Sequence, residues 1–262
     1  MSKVIYACSR NRAFDSKDKM RILEICKDLE PDNLSPPVNH KISIHDRIAF
    51  GVMNPPKSIV CSDTSLLLGY LYGQSNRWYE PLSEFPDGSY ALFRDSPDYL
   101  EVVSDPAASR TIWYYFDDNL FISSTSQRAI ILFIGNFVFD ERVIPWVLST
   151  GSLGPELSWD KRLQRLGPDS SVILDKKNWS ISTKQTPINF AEVSRSDSEH
   201  QRLLTDSIKR TIASLKDINY NDWVLPLSGG YDSRGILCFI RDNGRNTEDL
   251  KTITWGLKDS IK

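Results

Sequence analysis

The pattern of apolar and polar positions divides the chain into a β-rich first part and a later part that mixes helices and strands. Alternating apolar residues and short runs of β-branched residues predict many strands in the first part. These strands are predicted over residues 3–7, 42–52, 65–72, 90–94, 100–104, 111–116, 120–123, 171–174 and 179–183. Helical periodicity predicts three helices there, over 16–29, 127–133 and 141–149, the first capped by Ser16.

The composition changes between 185 and 198, where a polar stretch predicts a domain boundary. A helix is predicted over 198–215, because Ser196 and Glu199 have the spacing of a capping box and apolar residues recur at steps of three and four. These apolar residues are Leu204, Ile208, Ile212 and Leu215. The segments that follow predict a strand at 224–227, a helix at 234–240 and a strand at 252–255. This order is typical of the beginning of a parallel α/β sheet.

Composition and charge narrow the class of protein. The chain has 262 residues, 40% of them hydrophobic and 25% charged, as in water-soluble globular proteins. A formal net charge of -2 gives no reason to expect nucleic acid or a membrane as partner. The four cysteines and three histidines are scattered, so neither a disulfide framework nor a histidine metal site is expected. A cytoplasmic protein with reduced thiols is the expectation.

The segment 224–234 carries the clearest chemistry, because an apolar strand ends at a glycine-rich turn that opens a helix. That geometry presents backbone N–H groups to an anion, and Gly229-Gly230 lets the backbone approach a phosphate closely. Ser228 and Ser233 add hydroxyl groups, and the carboxylate of Asp232 is a candidate ligand for Mg²⁺. The common phosphate loop with Gly-Lys-Ser/Thr is excluded, because Gly230 is followed by Tyr-Asp.

The residues from Ser228 to Ser233 resemble the Ser-Gly-Gly-x-Asp-Ser pyrophosphate loop of the ATP pyrophosphatase superfamily. The β-rich part contains three segments, at 85–93, 102–105 and 120–124, in an order that resembles the glutaminase domain of asparagine synthetase. Gly167-Pro168-Asp169-Ser170 lies where that family has a Pro-Pro-Gly turn, and the segment 252–256 resembles its strand next to adenine. The chain is therefore similar to the asparagine synthetase family over most of its length.

The resemblance implies an enzyme of two domains. Residues 1–190 are expected to form a glutaminase-like α+β four-layer sandwich of the N-terminal-nucleophile kind. Residues 191–262 are expected to be the N-terminal part of an α/β ATP-pyrophosphatase domain, similar to the adenine nucleotide α-hydrolases. The family uses ATP and Mg²⁺ to convert a carboxylate into an acyl-adenylate, and an amine then displaces AMP to give an amide.

The resemblance also assigns roles residue by residue. Asp232 and Ser233 are the expected catalytic residues, and Asp232 is the expected metal ligand. The expected contacts to ATP come from the loop and from the strand that follows its helix: Leu227, Ser228, Gly229, Gly230, Asp232, Ser233, Thr254, Trp255 and Gly256. Two roles remain open for Arg234, namely neutralising pyrophosphate and pairing with an acidic neighbour on the helix.

The chain differs from the family at residues that would form the glutaminase site. The family's nucleophile is a cysteine at position 2, where this chain has Ser2, and its Asn-Gly-Glu segment aligns with the mainly apolar 68–73. Asp87-Gly88 matches the Asp-Gly pair of the family's segment. Cys8 is expected to be a core residue. The first domain is therefore expected to be inactive. Loss of the glutaminase resembles β-lactam synthetase and the lasso-peptide cyclases, in which the substrate supplies the amine.

The resemblance also bears on partners. The family's synthetase domain continues well beyond the position of Lys262, so the chain is expected to be a fragment or to be completed by a second polypeptide. Apolar residues such as Ile253 and Trp255 are then expected to be partly exposed to solvent. The expected substrate is a small carboxylate, either an amino acid or a peptide, and a homodimer is compatible with the resemblance. The alternative from another class is a non-catalytic scaffold.

Overall fold

Two parts of the chain, Met1–Ile188 and Asn189–Lys262, form separate units in the computed structural model. The structure describes residues 2–31, 39–55, 59–73, 75–187, 191–215, 223–243 and 247–255. None of the helices in these ranges is long and apolar enough to cross a membrane.

The described residues of the first unit form twelve strands and three helices. In chain order these are β1 (Lys3–Ser9), α1 (Ser16–Asp28), β2 (Lys41–His45), β3 (Ile48–Met53), β4 (Val60–Ser62), β5 (Ser65–Leu71), β6 (Gly88–Asp95), β7 (Tyr99–Ser104), β8 (Ile112–Phe116), β9 (Leu120–Ser124), α2 (Gln127–Ile134), α3 (Val143–Thr150), β10 (Gln164–Leu166), β11 (Ser170–Asp175) and β12 (Ser180–Gln185). The strands make two six-stranded antiparallel sheets, in the orders β10-β8-β9-β1-β3-β2 and β12-β11-β7-β6-β5-β4.

The main core lies between the two sheets. Strand β1 contributes Val4, Tyr6 and Cys8 to it, and β6 contributes Ala91 and Phe93. The alternate residues of β1, which include Ile5 and Ala7, face the other side of their sheet and are also buried. A strand buried on both faces is apolar at successive positions, which is why β1 lacks a clear alternation.

Helices α1 and α2 cover the outer face of the first sheet, where Ile22, Ile25 and Phe133 are buried. On the outer face of the second sheet the apolar cluster is completed by Leu71, Trp78 and Phe85. Neither Trp78 nor Phe85 belongs to a helix or a strand. The described residues therefore show an α+β arrangement in which helices cover one sheet and an irregular segment covers the other.

Two local predictions were wrong in detail. The single strand predicted over 42–52 is a hairpin, β2 and β3, because Asp46 takes a left-handed conformation with φ 44° that turns the chain. Asp and Asn tolerate this conformation better than most residues. Helix α1 is capped by Asp15 rather than Ser16, since the Asp15 carboxylate accepts hydrogen bonds from the amides of Lys17 and Asp18.

The second unit contains α4 (Asp197–Ser214), β13 (Val224–Pro226), α5 (Tyr231–Asp242) and β14 (Lys251–Ile253). The hydroxyl of Ser196 accepts from the amide of Glu199, which is one of the two hydrogen bonds of the predicted capping box. Strands β13 and β14 pair in parallel, with Leu225 opposite Thr252. Helix, strand, loop, helix and parallel strand follow in the predicted order.

Candidate functional site in the second unit

The candidate site is the loop 227–230, between β13 and α5, together with the first turn of α5. The amide of Leu227 donates to the carbonyl of Ile253, 2.8 Å away, so the ends of β13 and β14 adjoin each other. The loop therefore leaves the sheet at the carboxyl end of its strands, which is where open α/β sheets bind ligands.

Ser228 and Ser233 join the two ends of this loop. The amide of Ser228 donates to Ser233 Oγ at 3.1 Å, and the two hydroxyl oxygens are 3.1 Å apart. Ser228 Oγ also accepts from the amide of Gly230 at 3.2 Å. Both hydroxyl groups, predicted to face a phosphate, thus bond within the loop, and the turn is held closed from strand to helix.

The two glycines of the loop differ in their surroundings, since Gly229 is open whereas a Cβ added to Gly230 would lie 3.3 Å from Ser228 Oγ. Gly230 caps α5 without a side-chain hydrogen bond and has extended backbone angles, φ -77° and ψ 170°. A Cβ added to Gly229 would meet no atom within 4 Å, and neither glycine has the positive φ that demands this residue. The fold of the described residues thus gives no reason for glycine at 229.

Asp232 lies in the first turn of α5 and is exposed, with no hydrogen bond to the described residues. Those residues contain no group of three or more acidic, histidine or cysteine side chains that would hold a metal ion. Asp232 alone among the described residues is thus a candidate ligand there, and Mg²⁺ in nucleotide sites is commonly held by one or two carboxylates together with phosphate oxygens and water.

Of the residues predicted to flank adenosine, Thr254 and Trp255 follow β14 directly and are both exposed. The bond between Leu227 and Ile253 brings Thr254 to the same sheet edge as the loop. Gly256 lies outside the described residues. The structure therefore brings the loop and the end of β14 together.

Arg234 has a position that neither of its two predicted roles describes. Its Nε donates to the carbonyl of Gly230 at 3.0 Å, and its Nη2 donates to the carbonyl of Gly229 at 2.9 Å. Its guanidinium carbon lies 5.1 Å from the ring centre of Tyr231. The side chain is therefore folded back on the loop.

Several residues in the part of the chain that resembles a glutaminase have structural roles. Ser2 Oγ donates to the carbonyl of Asn54. Gly69 has φ +141°, and a Cβ there would lie 2.1 Å from the carbonyl oxygen of Ser89, so the pairing of β5 with β6 requires glycine. The carbonyl of Asp87 accepts from the amide of Tyr72 at 2.8 Å, which continues this hairpin.

Cys8 is buried between the sheets, as predicted. Burial raises the pKa of its thiol to about 12, so the thiol is protonated near neutral pH. Burial likewise raises the pKa of Cys26 to about 11. Neither thiol has the character of a nucleophile, which is a thiolate accessible to its substrate.

Asp105 has a larger structural role than the turn cap that its sequence context suggests. Its buried carboxylate accepts from the amides of Tyr90, Ala107 and Ser109 and from the Ser109 hydroxyl. Sequence reasoning missed the bond to Tyr90, which ties the loop after β7 to β6. The only signal available was an Asp-Pro pair at a strand end, which is common in turns.

Comparison with known proteins gives no family. No family model matches the chain, and no curated protein matches it. One similar solved structure is a glutamine phosphoribosylpyrophosphate amidotransferase from B. subtilis complexed with ADP and GMP, with 8% identity, a TM-score of 0.40 and coverage of 96% of this chain and 65% of that chain. Another is the allosteric regulatory enzyme of purine biosynthesis, with 9% identity, a TM-score of 0.40 and coverage of 97% and 64%. Likeness at this level carries no argument about function.

Proposed function

We propose that the protein is an asparagine synthase-like, ATP-dependent ligase that forms an amide. In this reaction a carboxylate oxygen of the substrate attacks the α-phosphorus of ATP, and the bond to the bridging oxygen breaks, so that pyrophosphate leaves. An amine nitrogen then attacks the carbonyl carbon of the acyl-adenylate, a proton is lost from nitrogen, and AMP leaves. The proposed substrate is a small carboxylate, an amino acid or a peptide.

The observation that carries the proposal is the open loop at Gly229. Glycine costs conformational entropy on folding, and no atom or backbone angle of the described chain calls for it at 229. Close approach of an external anion gives a reason, because a side chain at 229 would occupy that space. The loop also directly precedes α5. The first amides of this helix lack side-chain partners and carry the positive end of the helix dipole.

Each residue of the loop has a proposed role. The backbone at Gly229 and the amides of the first turn of α5 bind the leaving pyrophosphate, because the amides of Leu227, Ser228 and Gly230 are already bonded within the unit. Asp232 would hold Mg²⁺, which would supply positive charge to the phosphate oxygens. Ser233 keeps the loop closed through its bonds to Ser228. The end of β14, with Thr254 and Trp255, flanks the adenosine.

The amine is proposed to come from the substrate rather than from glutamine, as in the β-lactam and peptide cyclase types. Two observations favour this version. Position 2 is a serine whose hydroxyl is bonded to the carbonyl of Asn54. The segment that would hold polar glutamine-binding groups includes Leu68, which is buried in the core between the sheets.

Binding of magnesium pyrophosphate to the chain of 262 residues tests the proposal by calorimetry. We expect binding that requires Mg²⁺, and we expect Asp232→Ala to weaken it about tenfold or more, since a charged ligand contact is lost. Asp242→Ala is the matched control, because Asp242 is an exposed aspartate at the other end of α5. This control should bind as the wild type does.

Equal binding by the Asp232→Ala and wild-type chains would overturn the role of Asp232. Absence of binding to pyrophosphate, ATP and AMP by the wild-type chain would overturn the ligase proposal itself. The non-catalytic scaffold would then be the better description of this protein.

A further inference from the structure

The side chain of Arg234 contacts the loop and the first residue of α5. Its guanidinium spans two successive carbonyl groups, those of Gly229 and Gly230, with N···O distances of 2.9 and 3.0 Å. Its guanidinium carbon also lies over the ring of Tyr231, at 5.1 Å from the ring centre. Three neighbouring residues of the loop and helix start are thus held by one side chain.

These contacts fix the direction of two peptide groups. In a trans peptide the C=O and the following N–H point in opposite directions within one plane. Binding of the Gly229 carbonyl therefore turns the Gly230 amide away from Arg234, and that amide meets Ser228 Oγ at 3.2 Å. Binding of the Gly230 carbonyl likewise turns the Tyr231 amide away from Arg234.

The same geometry separates Arg234 from an anion bound at these amides. The guanidinium lies on the carbonyl side of the Gly230–Tyr231 peptide, whereas an anion bound by the Tyr231 amide lies on the opposite side. Arg234 therefore acts on the ligand through the loop backbone, and its charge is engaged with carbonyl oxygens and an aromatic ring.

We propose that Arg234 is a positioning residue that sets the loop amides for binding pyrophosphate; this inference rests on the proposed function. The role requires the flat fork of arginine, because two of its nitrogens reach two carbonyl oxygens at once while its guanidinium carbon lies over the ring of Tyr231. A lysine has the same charge, but its single nitrogen lacks both the fork and the face.

The test compares Arg234→Lys and Arg234→Met with the wild-type chain in binding magnesium pyrophosphate. We expect both variants to bind about tenfold more weakly, because either one loses the bidentate bond. We expect the dependence of binding on salt to stay the same, because Arg234 does not neutralise the ligand. The matched control is Arg241→Lys, since Arg241 is an exposed arginine in the last turn of α5.

Rescue of affinity by Arg234→Lys to within about twofold of the wild type, together with a smaller salt dependence in Arg234→Met, would overturn the proposal. Those results would show that the charge itself contacts the ligand.

A second measurement needs no ligand, so it separates this inference from the proposed function. We expect NMR order parameters of the Gly230 and Tyr231 amides to be near those of rigid backbone, about 0.85, in the wild type and the Arg241→Lys control. They should fall toward about 0.6 in Arg234→Lys. Unchanged order parameters in Arg234→Lys would overturn the positioning role even if the chain binds pyrophosphate. A fall in a chain that binds no phosphate would show that Arg234 orders the loop, but it would refute the ligase and with it the role in binding pyrophosphate.

Discussion

Arg94 and Glu101 stand opposite each other on β6 and β7 and form an ion pair in which both side chains are buried, with exposures of 0% and 1%. The Nη1 and Oε2 atoms are 3.2 Å apart. Arg94 also donates to the carbonyls of Trp78, Ser83 and Glu84. The pair therefore attaches the irregular segment that covers the second sheet to the sheet itself.

Removal of one partner should be costly. We expect Arg94→Met to lower the free energy of unfolding by about 3–5 kcal/mol, because Glu101 keeps its buried charge without its counterion. Urea unfolding of the full chain measures this loss. The matched control is Arg77→Met, since the pair of Arg77 and Glu80 is exposed, at 73% and 37%, and should contribute at most about 1 kcal/mol. Equal losses in the two variants would contradict the structural role of the buried pair.

The pair of Arg12 and Asp18 should make stability depend on pH. Hydrogen bonds from Arg12, at 2.6 and 2.8 Å, hold the pKa of Asp18 below its usual range. A carboxyl group with a lowered pKa in the folded state stabilises the fold above its unfolded pKa, about 4, and loses that contribution as the pH falls through the folded value. We therefore expect Asp18→Asn to reduce the free energy of unfolding at neutral pH and to reduce it less in acid.

Urea unfolding of Asp18→Asn and wild type over a series of pH values measures this difference. Asp28→Asn is the control, since Asp28 is exposed at the other end of α1. A cost of Asp18→Asn that stays constant down to about pH 2 would show that the carboxylate charge contributes nothing.

Ser2 should be dispensable for any release of glutamate from glutamine. We expect the wild-type chain and Ser2→Ala to give background rates, because the Ser2 hydroxyl is bonded to the Asn54 carbonyl and a hydroxyl is a weak nucleophile without an activating base. We expect background rates from Ser2→Cys as well, because the segment that would hold polar glutamine-binding groups includes the buried Leu68. An enzyme-coupled glutamate assay with each purified chain measures the rates. Glutamate release that is above background in the wild type and lost in Ser2→Ala would refute this prediction.

The two units should differ in local stability. Among the described residues of the second unit, Ile212 and Ile240 are the buried ones, and Ile253 and Trp255 are exposed, as the sequence analysis expected. We expect amide hydrogen exchange of the isolated chain to show strong protection in β1, β6 and β7 and weak protection in α4 and α5, since local opening follows low burial. Uniform protection across both units in a monomer would contradict this expectation.

The sequence by itself determined several local elements of this protein, although not the turn at Asp46 or the Asp15 cap of α1. The steps of three and four in 198–215 and the capping-box spacing of Ser196 and Glu199 predicted α4, and the Gly-rich stretch after an apolar run predicted the loop of the candidate site. Such features depend on residues a few positions apart, so they are readable without the fold.

Only the tertiary structure decided which groups meet across the sheets and where side chains bond. The burial of Arg94 with Glu101 depends on a segment folded over the second sheet, and the bond of Asp105 to Tyr90 joins the loop after β7 to β6. Arg234 was open to two roles in the sequence because a flexible arginine side chain has many rotamers, and only the folded loop places the two carbonyls that it binds. Contacts of this kind depend on backbone positions that the whole fold sets, so no local pattern encodes them.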